Sequence, residues 1–295
     1  MYKQIESNKR RTIILIIIFV AIILFLGWFF GQLYNFGYSG LGIAVVISLL
    51  MTLASYYKGD KVALWTAGAK GPLEKQDNPY VFRMVENLCI TAGVPLPKIY
   101  IIPEPAPNAF ATGRDPEHAS IALTTGIIES LENEELEGVI AHELSHIKNY
   151  DIRIMTIVIV LVGIVALLAD FFIRFRLFGG RRDRESGQIG AVLMIAGIVL
   201  AILAPLFANL IQLAISRRRE YLADASGSLL TRYPEGLARA LEKISAYKKP
   251  MRHANSATAH LFIANPFGST KKFASNLFST HPPIEERVKA LRNMA

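Results

Sequence analysis

The chain has a single cysteine, Cys89, in 295 residues. No internal disulfide can form, and a metal centre built from several thiolates is excluded. Cys89 itself lies in an apolar pattern of helical spacing and reads as a core residue. Charge is also sparse. Asp, Glu, Lys and Arg make up 19% of the chain against 52% hydrophobic residues, and the mean hydropathy of +0.33 is high for a soluble protein. There is no internal repeat, no long low-complexity stretch and no nucleic-acid-binding motif, so the net charge of +8 carries no DNA or RNA partner with it. Basic loops beside apolar segments and anionic lipid account for it.

The apolar excess is gathered into four runs: Ile13 to Phe30, about Gly37 to Tyr57, about Ile154 to Ile173, and about Ile189 to Ile215. Each approaches the ~20 residues that a helix needs to cross ~30 Å of hydrocarbon. Lys9, Arg10 and Arg11 precede the first run. That run is long, lacks a small-residue cleavage site and is soon followed by the second, so it reads as an uncleaved anchor. The chain divides accordingly into an N-terminal membrane hairpin (1–57), a polar segment (58–152), a second membrane hairpin (153–216) and a second polar segment (217–295).

Local signals place elements in the polar segments. Asn78 as cap, Pro79 in the first turn and Gly93 at the exit predict a helix. Three short strands are expected over 97–103, 107–113 and 119–126. A long helix follows, with Asn133 as its cap and acidic residues in its first turn. The second segment predicts a helix leaving the fourth apolar run, an amphipathic helix starting at Pro234, a loop of about thirty residues, and a closing helix after "STHPP".

The long helix of the first segment carries the stretch EGVIAHELSHIKNYD, residues 137–151. His142 and His146 are four apart and share a helix face, so both rings can point at one cation. Glu143 sits about 100° round the helix, where its carboxylate reaches a water on that cation and not the cation itself. Zinc suits this arrangement, because imidazole is a good zinc ligand and a catalytic zinc keeps one position open. The bland alternative is an ordinary helix with two histidines. The flanking Val139, Ile140, Ala141, Leu144 and Ile147 argue for burial, and buried histidines need partners. Such a site needs a third ligand. Glu220 in "RRREYLADA" is the best candidate, with Asp224 one turn on to hold the other ring nitrogen of a ligand histidine. His118, His253, His260 and His281 compete for the same place, and none has a partner at ligand spacing. If Glu220 and His146 share a metal, the chain between them crosses the bilayer an even number of times. It contains two apolar runs.

Taken in order, an N-terminal hydrophobic pair, "NAFATG", "ALTTG", "HELSH", two further hydrophobic runs, "EYLADA" and "STHPP" resemble the HtpX-type membrane zinc metalloproteases, relatives of the CAAX prenyl proteases. HELSH with a downstream ExxxD also resembles the wider gluzincin group. The resemblance implies an α+β zincin-like catalytic domain, mostly helical with a small sheet, attached to about four transmembrane helices. It implies one zinc ion held by His142, His146 and Glu220, with Glu143 catalytic and Asp224 behind a ligand histidine. It places His281 near the scissile carbonyl, where the residues alone suggest a turn histidine before Pro282 and Pro283. It also matches Asn108, Ala109 and Phe110 to an edge strand that takes the substrate backbone, for which a sheet edge is physically apt. The implied activity is endopeptidase cleavage of misfolded or damaged membrane proteins, as part of stress response and protein quality control. Its partners are then polypeptides and the lipid bilayer, with no nucleic acid and the oligomeric state open.

Lys3, Lys9, Arg10 and Arg11 before the first run, and an uncharged turn after it, predict that the N-terminus and both polar segments are cytoplasmic, and the resemblance implies that the membrane is a bacterial inner membrane. Five arginines between the third and fourth runs oppose that rule, and Asp170, Asn209 and Gln212 within those runs should face protein or water. The rivals are a prenyl-protein protease, whose members usually have more spans, and a non-enzymatic membrane protein with a structural metal. The latter would favour four protein ligands, often including cysteine.

Overall fold

The computed structural model describes residues 2–33, 37–158, 217–254, 258–268 and 282–294. The third and fourth apolar runs, apart from the first turns of the third, and His281 lie outside these residues. Two helices are long and apolar enough to cross a membrane: α1 (Tyr2–Leu33) and α2 (Ser39–Thr66). They pack against each other around Phe19, Ile23 and Ala44, while Ile17, Phe25, Ile43, Leu49 and Leu50 stay exposed. Large apolar side chains facing outward along both helices are what a lipid environment accepts. The expected count of four spans therefore stands at two among the described residues.

Helix α3 (Pro79–Ala92) starts and stops as its sequence dictates. Asn78 Oδ1 accepts the Val81 N–H at 3.1 Å, Pro79 fills the first position, and Gly93 ends the helix in the left-handed region at φ 67°. The strands are β1 (Lys98–Ile102), β2 (Ala109–Gly113) and β3 (Ala119–Thr124), in sheet order β1-β3-β2, with β3 parallel to β1 and antiparallel to β2. The third strand ends earlier than expected. The Thr124 side chain accepts the Ile127 N–H and caps α4 (Thr125–Ser130), so Thr125 and Gly126 are helical. Helix α5 (Asn133–Lys148) also begins differently. Its cap is Glu132, not Asn133, because Glu132 and Glu135 form a reciprocal capping box, with the Glu132 N–H donating to Glu135 Oε2 at 2.9 Å.

Residues 151–158 are also helical, and three more helices follow among the described residues: α6 (Arg217–Thr231), α7 (Pro234–Ala246) and α8 (Ile284–Arg292). Helices α6 and α7 both pack on α5, and α8 packs on α7 and α6. One core is shared by α3, the sheet, α5, α7 and α8, through residues such as Val85, Ile121, Leu136, Ile140, Leu237 and Leu291. The described part of the expected loop after α7 is without α-helix or strand, and it reaches into the core. Its Leu261, Phe262 and Ile263 are buried, Phe262 meets Phe110 edge-on at 5.0 Å, and the Ile263 N–H donates to Ala109 O. The buried Glu104 fastens the start of the same segment by accepting the Arg252 N–H at 2.7 Å.

Candidate metal centre

Helix α5 is buried from Gly138 to Ile147, and His142, Glu143 and His146 are each at most 5% exposed. The four-residue spacing brings the two rings together as expected, with their Nε2 atoms 3.2 Å apart. Helix α6 supplies the third group. Glu220 is fully buried, not exposed beside its arginine neighbours, and its carboxylate oxygens lie 3.6 Å from His146 Nε2 and 3.9 Å from His142 Nε2. All three donors fall within 4.8 Å of one another. Adjacent donors of a tetrahedral ion with bonds of ~2.0–2.1 Å sit roughly 3.3 Å apart. Two imidazoles and a carboxylate at these separations fit a zinc ion. Of the competing histidines, His118 bonds Asp115 in an exposed 3-10 turn, and neither His253 nor His260 joins the cluster.

Asp224, one turn after Glu220, brings Oδ1 within 2.9 Å of His142 Nδ1, in ion-pair range though not aligned as a hydrogen bond. This is the place expected for it. Two further residues around the centre were not anticipated. Asp151 Oδ2 lies 3.0 Å from His146 Nδ1 and serves that ring as Asp224 serves the other. It sits just beyond α5, where Tyr150 adopts φ 61° and folds the chain back. Arg287 of α8 is fully buried. It grips Asp224 with two bonds, Nε to Oδ2 at 2.9 Å and NH2 to Oδ1 at 2.7 Å, and stands 3.8 Å from Glu220. Asp151 was visible in the motif stretch itself, five residues past His146. Arg287 has no local signal.

Electrostatics follow from burial and these contacts. Desolvation pushes the Glu143 carboxyl up, with Glu220 adding to it and both histidines opposing. Desolvation would depress His146, but the Asp151 hydrogen bond and the charges of Glu220, Asp151 and Glu143 outweigh it and raise the group to about 9. Burial would raise Asp224, yet Arg287 and His142 hold it below the usual carboxylate range.

Strand β2 runs beside α5 at the edge of the sheet, which suits the expected substrate strand. Of the expected Asn108, Ala109 and Phe110, the register turns only the backbone of Ala109 outward. Asn108 O accepts the Thr124 N–H, so by antiparallel alternation Asn108 and Phe110 turn their backbone groups to β3. The outward positions are Ala109, Ala111 and Gly113. Ala109 O is taken by Ile263, the Gly113 N–H donates to Thr156 Oγ1, and the Ala111 backbone hydrogen-bonds Glu143.

Residues 75–295 match the model of peptidase family M48. A protein named "Protease HtpX homolog" from Caldanaerobacter subterraneus subsp. tengcongensis is 45% identical over 297 residues, covering 100% of this chain and 98% of its own. One of the same name from Dictyoglomus turgidum is 46% identical over 294 residues, covering 99% of this chain and 94% of its own. The crystal structure of S. mikatae Ste24p is similar in fold, with a TM-score of 0.51 and 20% identity over 99% of this chain and 67% of that one.

Proposed function

The chain belongs to peptidase family M48 and is a membrane metallopeptidase of the HtpX type, and from that premise we propose that it is a zinc-dependent endopeptidase of a bacterial inner membrane. Its polar segments 58–152 and 217–295 form one catalytic unit on the cytoplasmic side, and its substrates are misfolded or damaged membrane proteins. The observation that carries the zinc reading is the convergence of three buried donors, His142 and His146 Nε2 at 3.2 Å and the Glu220 carboxylate at 3.6 and 3.9 Å.

When bound, zinc supplies a Lewis acid for the scissile carbonyl and lowers the pKa of a bound water. The protein's own groups do the rest. Glu143 receives the proton of the attacking water and passes it to the leaving amine, a role that its upward-shifted carboxyl suits. Asp151 fixes the tautomer of His146 through its hydrogen bond, and the Asp224 carboxylate beside His142 Nδ1 favours a proton on that nitrogen. An extended substrate that pairs with the outer edge of β2 displaces the present partners of that edge, Ile263, Glu143 and Thr156, and His281 assists at the carbonyl oxygen.

Metal analysis of detergent-purified protein, beside cleavage of casein and of a prenylated tetrapeptide, tests this. Wild type and Glu143→Gln are both expected to hold about one zinc. Only wild type is expected to cut casein, with a loss in the variant of roughly 10²-fold or more. Preference for the prenylated peptide would move the assignment to a prenyl-protein protease. Retained proteolysis by Glu143→Gln would refute the role of that carboxylate.

A further inference from the structure

Resting on the zinc reading above, we infer that Asn8 of the membrane helix α1 is a positioning residue for the metal centre. It steadies His146 through Asp151, and through Arg219 it steadies the start of the helix that brings Glu220.

Asn8 is 4% exposed, while its neighbours Lys9, Arg10 and Arg11 are exposed. An amide buried at the polar margin of an apolar helix is costly unless its bonds are made. Here they are. The Nδ2 group donates to Asn149 O at 2.9 Å and to Asp151 Oδ1 at 2.7 Å, and Oδ1 accepts from Arg219 NH1 at 3.3 Å. The orientation of the amide is forced, because a carbonyl and a carboxylate need donors and a guanidinium needs an acceptor.

Each partner borders a metal-binding group. Asp151 spends its Oδ2 on His146 Nδ1 and its Oδ1 on Asn8, with Arg219 NH1 at 3.4 Å. Asn149 is the residue that ends α5. Arg219 immediately precedes Glu220. A single carboxamide therefore ties the end of the histidine helix, the carboxylate behind His146 and the root of the glutamate helix to one point on α1. These contacts span 141, 143 and 211 residues of sequence. Without Asn8, Asp151 loses its shortest bond, and the His146 ring and the α6 terminus gain freedom relative to each other. The centre is thus built partly by the anchor and not by the polar segments alone.

The test uses the full chain in detergent. Zinc affinity is measured by competition with a chelator, and the visible spectrum of the cobalt(II)-substituted protein is recorded for wild type, Asn8→Leu, Asn8→Ser, Asp151→Asn and the double variant Asn8→Leu/Asp151→Asn. Asn8→Leu keeps the branched shape, with somewhat more bulk, and removes the bonds. It is expected to weaken zinc binding about tenfold and to shift the cobalt bands, since groups behind metal ligands carry effects of that size. Asn8→Ser, with one donor on a shorter arm, should fall between, and it decides the matter by itself if Asn8→Leu does not fold. Thr12→Ala, on the same buried face of α1, should match wild type. The double variant should lose less than the product of the two single losses, because part of the effect passes through Asp151 and only the Arg219 and Asn149 contacts act apart from it. Zinc affinity and cobalt spectrum unchanged in Asn8→Leu or, failing that, Asn8→Ser would overturn the inference and leave the protease reading intact, as would losses that multiply in the double variant. A wild type that binds no zinc would overturn both.

Discussion

Arg287 is the largest fully buried side chain in the described protein, and its charge is met by Asp224 with Glu220 close by. Removing one member of such a pair leaves the other buried and uncompensated, which costs about 3–5 kcal/mol. Arg287→Ala is expected to lower stability by that order in denaturant unfolding of the metal-free protein. Arg287→Lys should recover only part of it, because a lysine cannot reproduce the two-pronged contact. Cys89 presents the opposite case, a buried group that is neutral. Burial pushes its thiol up to about 12, above the ~8.5 of an unfolded thiol. The protonated form is favoured in the folded state, so its contribution is fully present below about pH 8.5 and is lost as pH rises towards 12. Native protein should therefore resist alkylation at pH 8, and labelling of Cys89 should track unfolding. Rapid labelling of the folded protein would contradict its placement in the core.

At the scale of elements, the site depends on how closely α6 lies on α5. Gly227, two turns beyond Glu220, packs so near that an added Cβ would meet His142 N at 2.9 Å and Ala141 C at 3.1 Å. Backbone cannot yield as a flexible side chain does. Gly227→Ala is expected to push α6 outward, cost about 1–3 kcal/mol and loosen Glu220 from the two histidines, measured as earlier loss of zinc to chelator. How much of this could be seen beforehand follows the range of each interaction. The histidine pair, the Glu220–Asp224 turn and the Asn78–Pro79–Gly93 punctuation of α3 are written within single helices, where spacing alone fixes geometry. The approach of α6 to α5, the grip of Arg287 and the reach of Asn8 join residues 63 to 211 positions apart, for which spacing carries no signal. The same holds for the loop after α7, whose existence was legible and whose Phe262 and Ile263 are drawn to β2 across a long stretch of sequence. In β2 the strand was legible, but which of its residues face outward is set by the register with β3.

For the molecule as a whole, the joining of His146 and Glu220 puts α5 and α6 on one side of any membrane that α1 and α2 cross. With the basic residues ahead of the first apolar run, that side is expected to be the cytoplasm. In a Cys89→Ala background, a cysteine introduced at Ser186 should be labelled by an impermeant reagent from outside intact cells. Protection there, with labelling only after lysis, would reverse the orientation or remove the crossing.

The order in which the chain emerges during synthesis adds a last consequence. The histidines lie near the middle, the glutamate three quarters of the way along, and the arginine that neutralises the cluster in the final helix. A polypeptide that has reached Glu220 but not yet Arg287 therefore carries the blade without its rivet: the metal donors are present, and the charge that steadies Asp224 beside them is not.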